Sequence, residues 1–203
     1  MIAALDRHGV RYVAVGSYPA IVQGVDLEMT DLDIVPATAE DNRVRLVEAL
    51  KELHANEKRG DQIETIYDLM DDPSSLTDTT FWTFMTDFGE LDIVLRPAGF
   101  PRGYDELIEH AHSVALRDDT DPSLAVDALV ADVRDIYESK RLAGRRKDVD
   151  VLPRFAGIHP VDVKESMREK YRADQSRRSS PIPSQIQPSY PPPGAAPTRG
   201  RSR

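Results

Sequence analysis

Thr30-Asp31-Leu32-Asp33-Ile34-Val35 is the stretch that decides how this chain is read. An apolar run closed by Pro36, it has the pattern of a short strand. Side chains alternate between the two faces of a strand, so Asp31 and Asp33 lie side by side while Leu32 points the other way, into a core. Two carboxylates that close repel each other unless a proton or a cation lies between them. Magnesium is the natural partner, since it takes oxygen ligands and keeps water and substrate phosphate in its shell. Taken alone, the tripeptide fits equally well on the solvent face of a two-faced sheet, so its meaning depends on the rest of the chain.

Working outward, Thr80 to Thr86 alternates as a strand, Asp87-Phe88-Gly89-Glu90 supplies a turn, and Leu91 to Leu95 returns as the second arm of a hairpin. Asp92 is an acid inside that returning arm. If its strand lies beside the Asp31–Asp33 strand, three carboxylates converge and hold two magnesium ions, one activating an attacking oxygen and the other steadying a leaving pyrophosphate. Upstream, His8-Gly9-Val10-Arg11-Tyr12-Val13-Ala14-Val15 reads as a turn and a strand, followed by Gly16-Ser17 and a short helix from Tyr18 to Gln23. Gly16 lets backbone approach a phosphate closely, and Ser17 with the helix start offers it hydrogen bonds. A routine strand–helix turn has the same residues. Downstream, Lys140-Arg141-Leu142-Ala143-Gly144-Arg145-Arg146-Lys147-Asp148 is a dense basic run. Its cations suit a triphosphate, and they also suit a helix C-terminus favoured by the dipole.

Between these landmarks the spacing predicts a helix capped by Thr38 or Asp41 and marked by Val44, Val47, Leu50 and Leu53. Residues 56–78 are polar and weakly patterned, with a turn at Pro73-Ser74-Ser75. A helix is expected from Tyr104 to His112, a short strand over 114–116, and a strand or helix start over 124–129. Helices follow over 130–143 and 147–155, separated by Gly144. Trp82 reads as core. His54, His110 and His112 show no shared-ligand spacing.

The 203 residues suit one domain and a tail, and the absence of cysteine excludes disulfides, thiolate catalysis and cysteine-based metal centres. From Tyr171 onward Ser, Pro, Arg and Gln dominate. Six arginines against one acid give that tail +5, leaving −14 on residues 1–170 of a chain that carries −9 in all. The tail is expected to be disordered or polyproline-like, and the acidic body to repel nucleic acid except locally or through the tail. The first residues lack the basic leader and apolar core of a signal peptide, and no run is long enough to span a bilayer. A cytoplasmic protein with no membrane partner is therefore expected.

Together, His8–Ser17, Thr30–Val35, Gly89–Val94, Gly103-Tyr104-Asp105-Glu106-Leu107 and Ser139–Asp148 resemble, in order and spacing, the minimal nucleotidyltransferase superfamily, in particular stand-alone bacterial proteins related to AbiEii-type toxins. The resemblance covers about residues 1–156. It implies an α/β (α+β) nucleotidyltransferase fold with a small mixed central sheet flanked by helices, followed by a helical extension or linker over 157–170 and the tail over 171–203. It also implies two magnesium ions held by Asp31, Asp33 and Asp92, and a nucleoside triphosphate bound by Gly16, Ser17, Lys140 and Asp148. A nucleotide would pass to an RNA, protein or small-molecule acceptor, with tRNA, a partner protein and a cognate antitoxin as expected partners. A catalytically inactive binding or regulatory protein on the same fold is the alternative. One departure is the segment Val25-Asp26-Leu27-Glu28-Met29-Thr30, which lacks the arginine that many relatives carry before their Asp-x-Asp.

Overall fold

A computed structural model describes residues 1–66, 69, 71–117 and 125–157, all within one compact unit. The expected linker beyond 157 and the tail lie outside the described residues. The order is α1 (Ile2–Arg7), β1 (Tyr12–Val15), α2 (Ser17–Val22), β2 (Leu32–Pro36), α3 (Glu40–Glu52), β3 (Asn56–Arg59), β4 (Gln62–Thr65), a 3-10 turn (Pro73–Thr77), β5 (Phe81–Thr86) and β6 (Gly89–Val94). Then come α4 (Tyr104–Leu107), β7 (His112–Arg117), β8 (Ala125–Val130), α5 (Val133–Ala143), α6 (Arg146–Val151) and a second 3-10 turn (Leu152–Phe155).

The eight strands form one mixed sheet in the order β4-β3-β5-β6-β2-β1-β8-β7. β2 runs parallel to β6 and β1 parallel to β8, while the other neighbours are antiparallel. This is a mixed α/β architecture, with hairpins widening a small centre on both sides. Alternation along the central strands sorts their side chains into two layers. Leu32, Ile34, Leu91, Ile93 and Phe84 face α1 and α3, where Leu5, Leu46, Val47 and Leu50 bury completely or nearly so. Val13 and Val35 face the other way, onto Ala20 of α2, Ile136 of α5, Phe100, Leu107 and Phe155. Asp33 and Asp92, each one step out of phase with the first set, belong to this second face.

Several local expectations are corrected. α3 has Ala39 as its N-cap with no side-chain cap bond; Asp41 sits in the first turn, and Val44 is exposed. The expected long helix after Gly103 stops at Leu107, because the chain must turn to enter β7 at His112. Residues 125–130 form a strand, and α5 starts only at Val133, where the Asp132 carboxylate accepts the Arg134 amide and caps it. Residues 56–65, read as part of a polar, weakly patterned stretch, form the β3–β4 hairpin; all four β4 side chains are exposed, so no apolar alternation marks it. Trp82 is half-buried, stacked on Phe84, and donates its indole N–H to the Leu76 carbonyl. No described helix is long and apolar enough to cross a membrane.

Candidate active site

The register of β2 and β6 positions the acids. Leu32 pairs with Leu91, Asp33 with Asp92 and Ile34 with Ile93. In a parallel pair, partners project from the same face, so Asp33 and Asp92 stand next to each other above the sheet. β1 continues the row, with Val15 opposite Asp33, and β5 extends it on the far side, with Thr83 opposite Asp92. Asp31 lies at the entry to β2. Among the described residues, Asp31, Glu90 and Asp92 each offer an oxygen such that all three atoms lie within 4.8 Å of one another.

Asp33 is not in that trio; its carboxylate lies against Gly16. The turn after β1 puts Gly16 at φ +73° and ψ −143°, a region open in practice only to glycine. A Cβ there would sit 1.9 Å from Asp33 Oδ2 and 2.7 Å from its Cγ. The missing side chain therefore leaves the space into which the Asp33 carboxylate leans. Ser17 follows as the first residue of α2.

Electrostatics set these acids apart. Burial, then the like charges of Asp31 and Asp92, push Asp33 up to about 7, against the pull of Lys140 and Lys147. Asp92 is also raised, first by burial and then by Asp31 and Glu90, while a hydrogen bond from Thr83 holds it back. Asp92 is 8% exposed, and its Oδ1 is buried with no hydrogen-bond partner. A buried anionic oxygen without a donor is costly.

The acids open onto a cavity of about 670 Å³, within the range of about 300–1,000 Å³ typical of small-molecule sites. Its wall includes Gly16, Ser17, Asp31, Asp33 and Asp92, and also Lys140, Arg145, Lys147 and Asp148 from the C-terminal helices. Gly144, in the left-handed conformation, ends α5 and turns the chain so that α6 returns beside it. Lys140 and Lys147 thus come to one cavity from two helices. Asp148 is almost fully buried; Arg145 Nε donates to its Oδ2 at 2.6 Å, and Lys140 Nζ lies 3.7 Å from Oδ1. Its carboxylate is engaged by those two cations. Arg96 and Arg154 add further positive charge to the lining, so the segment without an arginine before Asp31 does not leave the cavity poor in cations.

Sequence reasoning missed Glu90, Thr83 and Phe81. Glu90-Leu91-Asp92 repeats the alternation of Asp31-Leu32-Asp33, and that signal alone marks Glu90 as sharing a face with Asp92. Thr83 and Phe81 become site residues only through the β5–β6 register, in which Phe81 pairs with Val94.

No family model matches the chain, and no curated protein matches it. One solved structure similar to it is a Thermotoga maritima protein described as "a putative nucleotidyltransferase", with 15% sequence identity, 76% of this chain and 86% of that chain covered, and a TM-score of 0.40. A likeness of that degree assigns neither fold nor activity.

Proposed function

We propose that this chain is a magnesium-dependent nucleotidyltransferase, which moves a nucleoside monophosphate from a nucleoside triphosphate to an acceptor hydroxyl. The observation that carries the reading is the in-register pair Asp33 and Asp92, with Asp31 beside them, facing a cationic wall across a cavity of nucleotide-compatible size.

A divalent ion fits the residues present. The donors are all carboxylate oxygens, the set magnesium prefers, and the buried Asp92 Oδ1 has no protein donor to offset its charge. Asp31, Asp33 and Asp92 would hold the metal, two ions in the full reading. When bound, magnesium neutralises phosphate charge and makes a hydroxyl easier to deprotonate.

The chain's own residues supply the rest. Gly16 leaves room for the Asp33 carboxylate and gives its backbone to the cavity wall beside the phosphates, and the Ser17 hydroxyl donates to a phosphate oxygen. Lys140, Arg145 and Lys147 offset the triphosphate's charge, and Asp148 holds two of them in place. The acceptor oxygen attacks the α-phosphorus, the bond to the bridging oxygen breaks, and pyrophosphate leaves. The acceptor proton passes to the Asp92 carboxylate. Positioning and charge complementarity account for the acceleration.

The acceptor belongs to the class of RNA 3′ ends, protein hydroxyls or small molecules. Transfer to tRNA or a partner protein, and a role as a toxin held by an antitoxin, rest on the sequence resemblance alone. The test is incubation with each of four α-labelled triphosphates and magnesium, in the presence of total tRNA and lysate protein. Label should pass to an acceptor only with magnesium, and Asp33→Ala or Asp92→Ala should lower transfer by about 100-fold or more. Absence of transfer from all four triphosphates would favour the inactive binding protein instead.

A further inference from the structure

The acids above the sheet form a two-by-two array, Asp33 in β2 with Asp31 at its entry, and Asp92 and Glu90 in β6. Asp33 and Asp92 are register partners, and two residues earlier in each segment stand Asp31 and Glu90. Asp31, Glu90 and Asp92 converge within 4.8 Å, while Asp33 leans towards the space beside Gly16. The buried, unpartnered Oδ1 of Asp92 shows that this corner holds more negative charge than the surrounding protein donors satisfy.

A lysine lies against the same corner. Lys58 Nζ is 2.6 Å from Glu90 Oε2, and Asp92 is near enough to act on the same ammonium. Lys58 belongs to β3, and extending the β3–β5 register by one residue sets it opposite Thr83, the residue that pairs with Asp92.

We propose that Glu90 is a further carboxylate of the divalent-cation site, and that Lys58 is the built-in cation which Glu90 exchanges for metal. The inference rests on the metal part of the proposed function and extends it to two residues outside the expected trio. A single ammonium satisfies one carboxylate oxygen. A divalent ion satisfies oxygens from Asp31, Glu90 and Asp92 together, and must displace or repel Lys58 to do so. Glu90 therefore contributes to metal affinity and Lys58 opposes it.

The test is a titration of the full 203-residue chain with Mn²⁺, without nucleotide, in which free Mn²⁺ is followed by electron paramagnetic resonance. Glu90→Gln should weaken binding by about 10-fold or more, and Lys58→Met should tighten it by about 3- to 10-fold. Asp92→Asn serves as the reference for a lost ligand. Glu90→Gln binding within about twofold of wild type, while Asp92→Asn binds poorly, would overturn the role of Glu90 and leave the nucleotidyl-transfer reading standing. Unchanged or weaker binding by Lys58→Met would overturn the exchange. If Glu90→Gln weakens Mn²⁺ binding but no triphosphate labels any acceptor, the cation site stands and the activity does not. Should Glu90→Gln fail to fold, Glu90→Asp takes its place in the titration, and Lys58→Met, which leaves every carboxylate in place, still tests the exchange.

Discussion

Gly16→Ala is the perturbation whose cost the geometry defines best. Two effects combine. The backbone at φ +73° and ψ −143° is strained for any L side chain, which costs about 1–3 kcal/mol. The new Cβ would also stand 1.9 Å from Asp33 Oδ2 and 2.7 Å from its Cγ, so the carboxylate must leave its place. Displacing a half-buried, packed group adds about 1–3 kcal/mol more, for a total of about 2–6 kcal/mol. The two effects separate in a double-mutant cycle. Asp33→Ala removes Oδ2 and Cγ and leaves a 3.1 Å contact with the Asp33 Cβ, so in that background Gly16→Ala should cost only the backbone strain. The coupling between the sites should then be about 1–3 kcal/mol. Urea denaturation of the four proteins in metal-free buffer measures it. An unaltered midpoint for Gly16→Ala, or the same loss in both backgrounds, would refute the close approach of Gly16 and Asp33.

Asp33 also sets a pH dependence. Its carboxyl is raised from the ordinary 3.8 to about 7 in the fold, so the native state holds the proton more tightly. Stability from this group is fully present below about pH 4 and is lost as pH rises through about 7. In chelator, Asp33→Asn should remove that decline and be the more stable protein at pH 8, by up to about 4 kcal/mol; parallel melting profiles from pH 5 to 8 would count against it. Because the same proton competes with metal, divalent affinity should rise as pH passes through about 7, measured by Mn²⁺ titration at pH 6 and 8. Asp148→Asn frees Lys140 and Arg145 from their shared anchor, so KM for the triphosphate should rise by about 10-fold with a smaller change in kcat. Equal KM values would mean that the two cations hold their places without it.

The central strands were legible because burial imposes a period. Tyr12–Val15, Leu32–Pro36, Phe81–Thr86 and Gly89–Val94 each bury one or both faces, and alternation or an apolar run records it. The β3–β4 hairpin left no such record. Its outer strand is wholly exposed and is held by main-chain pairing to its neighbour, which any polar residue permits. Helix ends were misread where tertiary needs override local preference, as at Leu107, where the chain must turn into an edge strand.

By itself, the order of residues determined that Asp31 and Asp33 share a face, that Asp92 lies in an apolar strand, and that a glycine ends the first strand. These are properties of neighbours along the chain, set by the two-residue repeat of extended backbone. Only the tertiary structure decided that Asp33 meets Asp92, that Glu90 joins Asp31, and that Lys140 and Lys147 reach one cavity from separate helices. Those contacts depend on a parallel register between strands more than fifty residues apart and on the turn at Gly144. A one-residue slip of β6 against β2 would carry Asp92 to the opposite face. The register is held by the burial of Leu32, Ile34, Leu91 and Ile93 against α1 and α3, a packing condition that no short stretch of the sequence contains.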